Sequence, residues 1–192
     1  MDEVAFIDTD ILFRYFAISE KKRSAFFASG STGIKELDLV MNLVQDIEKN
    51  NQYPCVSEYS ILELICTLTR LKSASKIPRI LKTLYRTLDV LPLYDDILHL
   101  AWFFGAYFSI HSGDALHAAF CVMNDIDIVF LSDNPFYTTF LEIQEDFQAH
   151  GTTRLNKFQE TGSPFDLTNL RFVKKYGNLK RLKIVNALQN TP

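Results

Sequence analysis

Near its amino terminus the chain carries the run Val4-Ala5-Phe6-Ile7-Asp8-Thr9-Asp10, in which four apolar residues lead directly to two carboxylates. A short, continuous apolar run is typical of a strand that is buried on both faces of a parallel sheet. Asp10 is then a natural N-cap for a helix over residues 11–17. Asp8 is harder to explain as a structural residue, because it ends a buried strand two residues from another acid.

A second apolar run, residues 126–131, predicts another buried strand, and it is followed by Asp133. The apolar spacing between the two runs predicts strands at 54–57 and 88–91 and helices at 34–49, 58–71, 78–87, 94–108 and 114–124. Strands separated by helices favour a three-layer α/β/α domain around a central, mainly parallel sheet. Sites in such sheets lie outside the carboxyl ends of the strands, where Asp8, Asp10 and Asp133 are expected.

The remaining segments give weaker patterns. Residues 19–33 are polar and contain two glycines, which predicts a loop, and the sequence Asp133-Asn134-Pro135 predicts a turn. Beyond residue 150 the periodicity weakens. Residues 156–161 and 171–176 are interpreted as strands, and residues 182–188 fit no single element.

The composition favours a cytoplasmic protein without a membrane partner. Hydrophobic residues make up 47% of the 192, enough for one sizeable core. The first residues lack a basic segment, so we expect no signal peptide. The longest apolar stretch, residues 98–110, is too short to span a bilayer. Three cysteines without metal-ligand spacing are interpreted as buried free thiols in a reducing compartment.

Charge is distributed unevenly along the chain. Residues 1–149 contain 12 Lys and Arg against 21 Asp and Glu (net −9), whereas residues 150–192 contain 8 against 2 (net +6). We therefore expect an acidic domain at 1–149 followed by a basic C-terminal extension at 150–192. Such an extension suits contact with nucleic acid, and it equally suits packing on the acidic domain or a solvated surface.

Two further acids lie in apolar surroundings. Glu63 interrupts the apolar residues 61–65, and Asp114 follows Gly113 at the start of a predicted helix. Each has an ordinary explanation, since Glu63 fits a solvated helix face and Asp114 fits a helix cap. His117, one turn after Asp114, is interpreted as a packed, hydrogen-bonded histidine. Brought together, the carboxylates would repel one another and call for a hard divalent cation.

Taken in order, these segments resemble the PIN domain, and most of all the toxin nucleases of toxin–antitoxin pairs. The resemblance covers about residues 4–141. The matching stretches are Phe6-Ile7-Asp8-Thr9-Asp10-Ile11-Leu12, Val56-Ser57 with Leu62-Glu63-Leu64, Asp114-Ala115-Leu116-His117-Ala118-Ala119, and Phe130-Leu131-Ser132-Asp133.

The resemblance implies a ribonuclease that depends on Mg²⁺ or Mn²⁺ and hydrolyses RNA phosphodiester bonds. Asp8, Asp114 and Asp133 would hold the metal, and Glu63 would complete the catalytic cluster and position the attacking water. Asp10 stands where the family often has Asn, and would be either a further ligand or a helix cap. The implied partners are the RNA substrate, a second copy of the chain in a homodimer, and an antitoxin protein.

Cations outside the cluster would have to hold the RNA backbone. The candidates that the sequence offers are Arg14 and, in the extension, Lys174, Lys175, Lys180 and Arg181.

Two alternatives remain open at the level of sequence. Asp8-Thr9-Asp10 also fits the first motif of a haloacid-dehalogenase-like phosphatase, although the further lysine and acid of that family are not evident. A PIN-like fold can also bind RNA or a protein partner without turnover.

Overall fold

The computed structural model describes residues 3–188, so Met1, Asp2 and residues 189–192, the end of the predicted extension, lie outside the described range. Within that range five strands are present: β1 (Val4–Ile7), β2 (Tyr53–Ser57), β3 (Asp89–Leu91), β4 (Ile128–Leu131) and β5 (Lys183–Asn186). They form one all-parallel sheet in the order β3-β2-β1-β4-β5. The predicted α/β fold with a parallel central sheet is confirmed.

Ten helices in the described range flank the sheet. They are α1 (Thr9–Ala17), α2 (Glu20–Ser29), α3 (Lys35–Lys49), α4 (Glu58–Arg70), α5 (Ile77–Thr87), α6 (Asp95–Phe108), α7 (Ser112–Met123), α8 (Asn134–His150), α9 (Thr153–Glu160) and α10 (Leu170–Tyr176), with 3-10 turns at Ala74–Lys76 and Gly177–Lys180. Within residues 3–188, every helix falls short of the length and apolar character that a bilayer crossing requires.

The sheet separates two hydrophobic layers because successive side chains of a strand point to opposite faces. Ala5 and Ile7 of β1 pack with α1, α3, α4 and α5, whereas Phe6 packs with α6, α7 and α8 and with the helices that follow α8. β1 lies in the centre of the sheet, which explains why its apolar run is continuous rather than alternating.

Two predictions about local structure are wrong. Residues 19–33 are not a loop, because they contain α2, whose start is capped by the Ser19 hydroxyl and whose end is a left-handed Gly30. The helix buries one hydrophobic residue, Phe26, so its sequence lacks an amphipathic pattern. Asp133-Asn134-Pro135 is not a free turn but the start of α8, and a proline suits the first turn of a helix.

The C-terminal segment folds back onto the domain. Residues 156–160 lie in α9, with Thr161 as its C-cap, and residues 171–176 lie in α10, so the predicted strands are wrong. In α10 the buried residues Phe172 and Tyr176 recur at helical spacing, whereas α9 buries only Leu155. Residues 183–186 supply β5, which extends the sheet beside β4. The side-chain amide of Gln144 in α8 donates to the carbonyl oxygens of Leu179 and Leu182, at 2.6 and 2.8 Å. A domain boundary at residue 149 stays a prediction.

The basic residues of this segment meet acids of the preceding part of the chain. The ion pairs are Arg171 with Asp96, Lys175 with Asp125, and Lys183 with Glu3. At these three places, basic residues of the C-terminal segment therefore pair with acids of the preceding part of the same chain.

The cysteine prediction is confirmed in two of three positions. Cys55 and Cys121 are buried free thiols, whereas Cys66 is exposed. Cys66 follows Ile65 on α4, but the helix turns its side chain outward beside the exposed Leu62, which an apolar neighbourhood in sequence does not reveal.

Candidate active site

All five carboxylates singled out in the sequence line one cleft of about 320 Å³. We call it the acidic cleft. Its lining residues are Asp8, Thr9, Asp10, Phe13, Glu63, Thr67, Asp114, His117, Asp133 and Phe136. The structure thus brings together side chains that are separated by up to 125 positions in the sequence.

The topology of the sheet explains this convergence. β1 and β4 are neighbours, with Ile7 opposite Phe130, so their carboxyl ends align. From β1 the chain order runs outward in opposite directions, to β2 and β3 on one side and to β4 and β5 on the other. In open parallel sheets such a reversal leaves a crevice at the strand ends, and ligands bind there. Asp8 and Asp133 follow the two strands that border the reversal.

Asp8 is a buried carboxylate that is not used as a helix cap. It stands at the N-cap position of α1, since the helix begins at Thr9, yet its side chain makes no capping bond. Its Oδ2 instead accepts a hydrogen bond of 3.1 Å from the Ser132 hydroxyl. Burial raises the pKa of the Asp8 carboxyl above its ordinary value, and the nearby His117 and Ser132 offset only part of that rise. The position of Asp8 at the start of a helix is therefore not explained by capping.

Asp114 and Asp133 also stand at the start of helices without capping them. Asp114 lies in the first turn of α7, which begins two residues earlier than predicted, and Asp133 occupies the N-cap position of α8 without a side-chain capping bond. Burial raises the pKa of the Asp114 carboxyl above its ordinary value; the nearby His117 offsets part of that rise, and the charges of Asp133 and Asp8 add to it. The three carboxylates are thus close enough to interact electrostatically.

Glu63 differs from Asp8 and Asp114 because its surroundings favour the ionised form and lower its pKa instead of raising it. Its Oε2 accepts a hydrogen bond of 2.7 Å from the Thr9 hydroxyl and lies 2.9 Å from Nε2 of His117. Burial raises the pKa of the Glu63 carboxyl, but the hydrogen bonds from His117, Thr9 and Tyr59 outweigh it, and the pKa lies below its ordinary value. The carboxylate is therefore fixed in orientation and remains an acceptor.

His117 is the packed, hydrogen-bonded histidine that the sequence predicts, but its partner could not be predicted. Its ring lies against Phe6 and Tyr59, each with a centroid distance of 5.4 Å. Because a carboxylate only accepts, Nε2 carries the hydrogen in the contact with Glu63. Nδ1 is buried and makes no hydrogen bond within the described residues.

Thr9 and Gly113 are site residues that the sequence analysis did not identify. Gly113, in the first turn of α7, passes close to Glu63 and Tyr59. A Cβ at this position would lie 3.3 Å from the Tyr59 hydroxyl and 3.4 Å from Oε1 of Glu63. The glycine preceding Asp114, visible in the sequence, was the available signal for this close approach.

The prediction that Asp10 is the N-cap of α1 is wrong, because the helix begins at Thr9, one residue before it. Its Oδ2 instead forms an ion pair of 2.7 Å with Nε of Arg14, one turn later in the helix. Among the predicted RNA-holding cations, Arg14 therefore stands beside the acidic cleft. None of the four C-terminal candidates is part of its lining in the described range.

The donor set of the acidic cleft suits a hard cation that keeps much of its water. Within residues 3–188, no three acidic, histidine or cysteine side chains form a ready-made metal-binding group. Mg²⁺ is commonly held by one or two carboxylates together with water and substrate phosphate, so the available oxygens fit that mode of binding. The cleft lining in this range includes no lysine, which the phosphatase alternative requires.

The helix ends at the cleft moderate the repulsion among the acids. α1, α7 and α8 all begin at it, through Thr9, Asp114 and Asp133. The N-terminus of a helix carries partial positive charge, which stabilises a nearby carboxylate by about 0.3–1 kcal/mol at an exposed site.

Neither the comparison with protein-family models nor the search of curated proteins returned a match to this chain.

Proposed function

We propose that this protein is a metal-dependent ribonuclease that hydrolyses phosphodiester bonds of RNA in the acidic cleft. One observation carries the proposal. Carboxylates from four separate segments line a single cleft at the carboxyl edge of a parallel sheet, and neither Asp8 nor Asp133 makes a side-chain capping bond at its helix N-terminus.

The residues of the cleft divide into two groups. Asp8, Asp114 and Asp133 would hold Mg²⁺ or Mn²⁺ directly or through water, and the Ser132 hydroxyl fixes Asp8 for that role. When bound, the cation supplies Lewis-acid polarisation of the phosphate and a lower pKa of its bound water.

Glu63 is suited to orient the attacking water. Thr9 and His117 occupy its Oε2, and the lowered pKa keeps the group an acceptor near neutral pH. Such a carboxylate accepts a hydrogen bond from water and directs the oxygen lone pair toward the phosphorus. The same contacts set the orientation of His117, which acts here as a positioning residue.

The test is cleavage of a pool of single-stranded and structured RNA with Mg²⁺, Mn²⁺ or EDTA. We expect cleavage that requires the metal and falls about a hundredfold or more in Asp8→Asn and Asp114→Asn. Asp95→Asn is the matched control, because Asp95 is exposed on α6 and lies outside the cleft lining. Full cleavage by either site variant would overturn the proposal.

The same assay separates the alternatives. Metal-independent binding without cleavage by any preparation would favour an RNA-binding protein without turnover. Release of phosphate from a small ester, with RNA left intact, would favour the phosphatase.

The role as a toxin, the antitoxin partner and the homodimer are further proposals that rest on the resemblance to PIN-domain toxins. Growth arrest on expression of the wild type, absent with Asp114→Asn, would support the toxin role. Its absence, with cleavage intact in vitro, would leave a ribonuclease of another kind.

A further inference from the structure

A second cleft lies at the other end of α1. It has a volume of about 460 Å³ and is bordered by the end of α1, the start of α2 and the start of α5. Three cations line it, Arg23, Lys76 and Arg79, together with one acid, Glu20. We call it the basic cleft. Its charge contrasts with that of the domain as a whole, which is acidic.

Arg23 is held in place with donors to spare. Its guanidinium lies over the Tyr15 ring, 4.5 Å from the centroid, and Nη2 donates to the Tyr15 carbonyl oxygen at 2.9 Å. Nε is buried and has no partner within the described residues. Because the buried Nε is out of reach of a ligand, the Nη–H groups are the part of this fixed guanidinium that is suited to an oxyanion in the cleft.

The other two cations are exposed and available. Arg79 pairs with Glu20 at 2.8 Å, but both side chains are more than four-fifths exposed (83% and 81%). An exposed pair of this kind contributes little stability, so a phosphate can displace the carboxylate. Lys76 is exposed and makes no ion pair in the described part of the chain.

One helix, α1, lines both the acidic cleft and the basic cleft. It contributes Asp10 to the first and Ala17 to the second, and at 1.5 Å per residue these positions lie about 10 Å apart along the helix. Arg14 lies between these two positions and is a further cation on the same helix.

We infer that the basic cleft binds the phosphodiester backbone of a single-stranded RNA segment whose adjoining bond lies in the acidic cleft. This inference rests on the proposed function. The short distance between the clefts lets a strand of a few nucleotides occupy both, and contacts from Arg and Lys side chains track a backbone without reading its bases. The cations that hold the RNA then come from α2, from the 3-10 turn at Ala74–Lys76 and from α5, rather than from the C-terminal segment.

The test measures binding of a fluorescent 12-nucleotide oligouridylate by anisotropy. The full chain carries Asp114→Asn, and Mg²⁺ is present, so that cleavage does not interfere. We expect Lys76→Glu with Arg79→Glu to weaken binding about tenfold or more and to reduce the dependence of log Kd on log salt. Glu20→Gln removes the acid of the basic cleft and should tighten binding, which a damaged fold cannot do.

Lys157→Glu is the matched control for the single variant Lys76→Glu, because each reverses one exposed lysine and Lys157 lies in α9, on the other side of the sheet. Equal weakening by Lys157→Glu and the cleft variants would overturn the inference, since it would show general electrostatic attraction. Unchanged binding in the cleft variants would overturn it as well.

Its failure is distinguishable from failure of the proposed function. In the chain that keeps Asp114, Lys76→Glu with Arg79→Glu can be tested for cleavage. Cleavage at the wild-type rate would refute RNA binding in the basic cleft and leave the proposed nuclease activity in place. Binding that depends on the basic cleft, with no metal-dependent cleavage by any preparation, supports the RNA contact and refutes the nuclease.

Discussion

Tyr176 offers a sharp test of how the C-terminal segment belongs to the fold. The side chain is wholly buried, and its ring packs against Phe147 at a centroid distance of 4.7 Å and near-perpendicular orientation, with Phe103 and Phe104 slightly farther away. Its hydroxyl oxygen is buried without a hydrogen-bond partner in the described residues. Burial accordingly raises the pKa of this phenol well above its ordinary value.

Tyr176→Phe removes only the hydroxyl and leaves the ring contacts in place. A buried polar group without a partner costs about 1–3 kcal/mol, so we expect the free energy of unfolding to rise by about 1 kcal/mol. For a chain of this length that corresponds to an increase in Tm of about 2–4 °C. Tyr176→Ala removes the ring as well, and we expect a loss of about 3–5 kcal/mol.

The assay is thermal and urea unfolding of the full chain, with Tyr85→Phe as the matched control, because Tyr85 is 62% exposed and should tolerate the same change without effect. A destabilised Tyr176→Phe would refute the reasoning, since the hydroxyl would then have a partner. A Tyr176→Ala variant of wild-type stability would show that the C-terminal helices contribute nothing to the core.

Three further predictions concern the site and the thiols. Because the pKa values of Asp8 and Asp114 are raised in the folded state, their unfavourable contribution is present at neutral pH and is lost as the pH falls through those values. Without metal, Asp114→Asn should therefore unfold at higher urea concentration than wild type at pH 7, with an advantage that shrinks toward pH 4; an advantage that grows on acidification would contradict this. Gly113→Ala should lower RNA cleavage about tenfold with little change in Tm, because the added methyl presses on Glu63, and unaltered kinetics would remove Gly113 from the site. A thiol reagent should modify Cys66 alone in the native protein, as judged by mass spectrometry, and fast modification of either of the other cysteines would be inconsistent with their burial.

The elements that the sequence predicts well are those formed by a run of consecutive apolar residues. The apolar run before Asp8 and that before Asp133 identify the two central strands, and the acids that follow them could be placed at one edge of the sheet. The sequence does not predict α2, because that helix buries only Phe26, and it predicts a turn at the start of α8 because proline is common in both settings.

The contacts within the site could not be predicted from sequence spacing. Glu63 and His117 lie 54 positions apart on different helices, and their hydrogen bond depends on how each helix is rotated against the sheet. The apolar spacing of a sequence shows which face of a helix is buried, but it does not show how that helix is rotated relative to another helix. The basic cleft depended further on α2, which the sequence did not indicate.

The central position of β1 has a consequence for synthesis of the chain. β1 is made first, yet its neighbour β4 lies 123 residues later, as Ala5 opposite Ile128 shows. At about 5–20 residues per second, the ribosome delivers β4 about 6–25 s after β1. During that interval one edge of β1, a wholly apolar strand, has no neighbour. Pairing of β1 with β4 then closes a long loop of chain, which slows folding. The newly made protein should therefore depend on chaperones at this stage more than a helical protein of equal length.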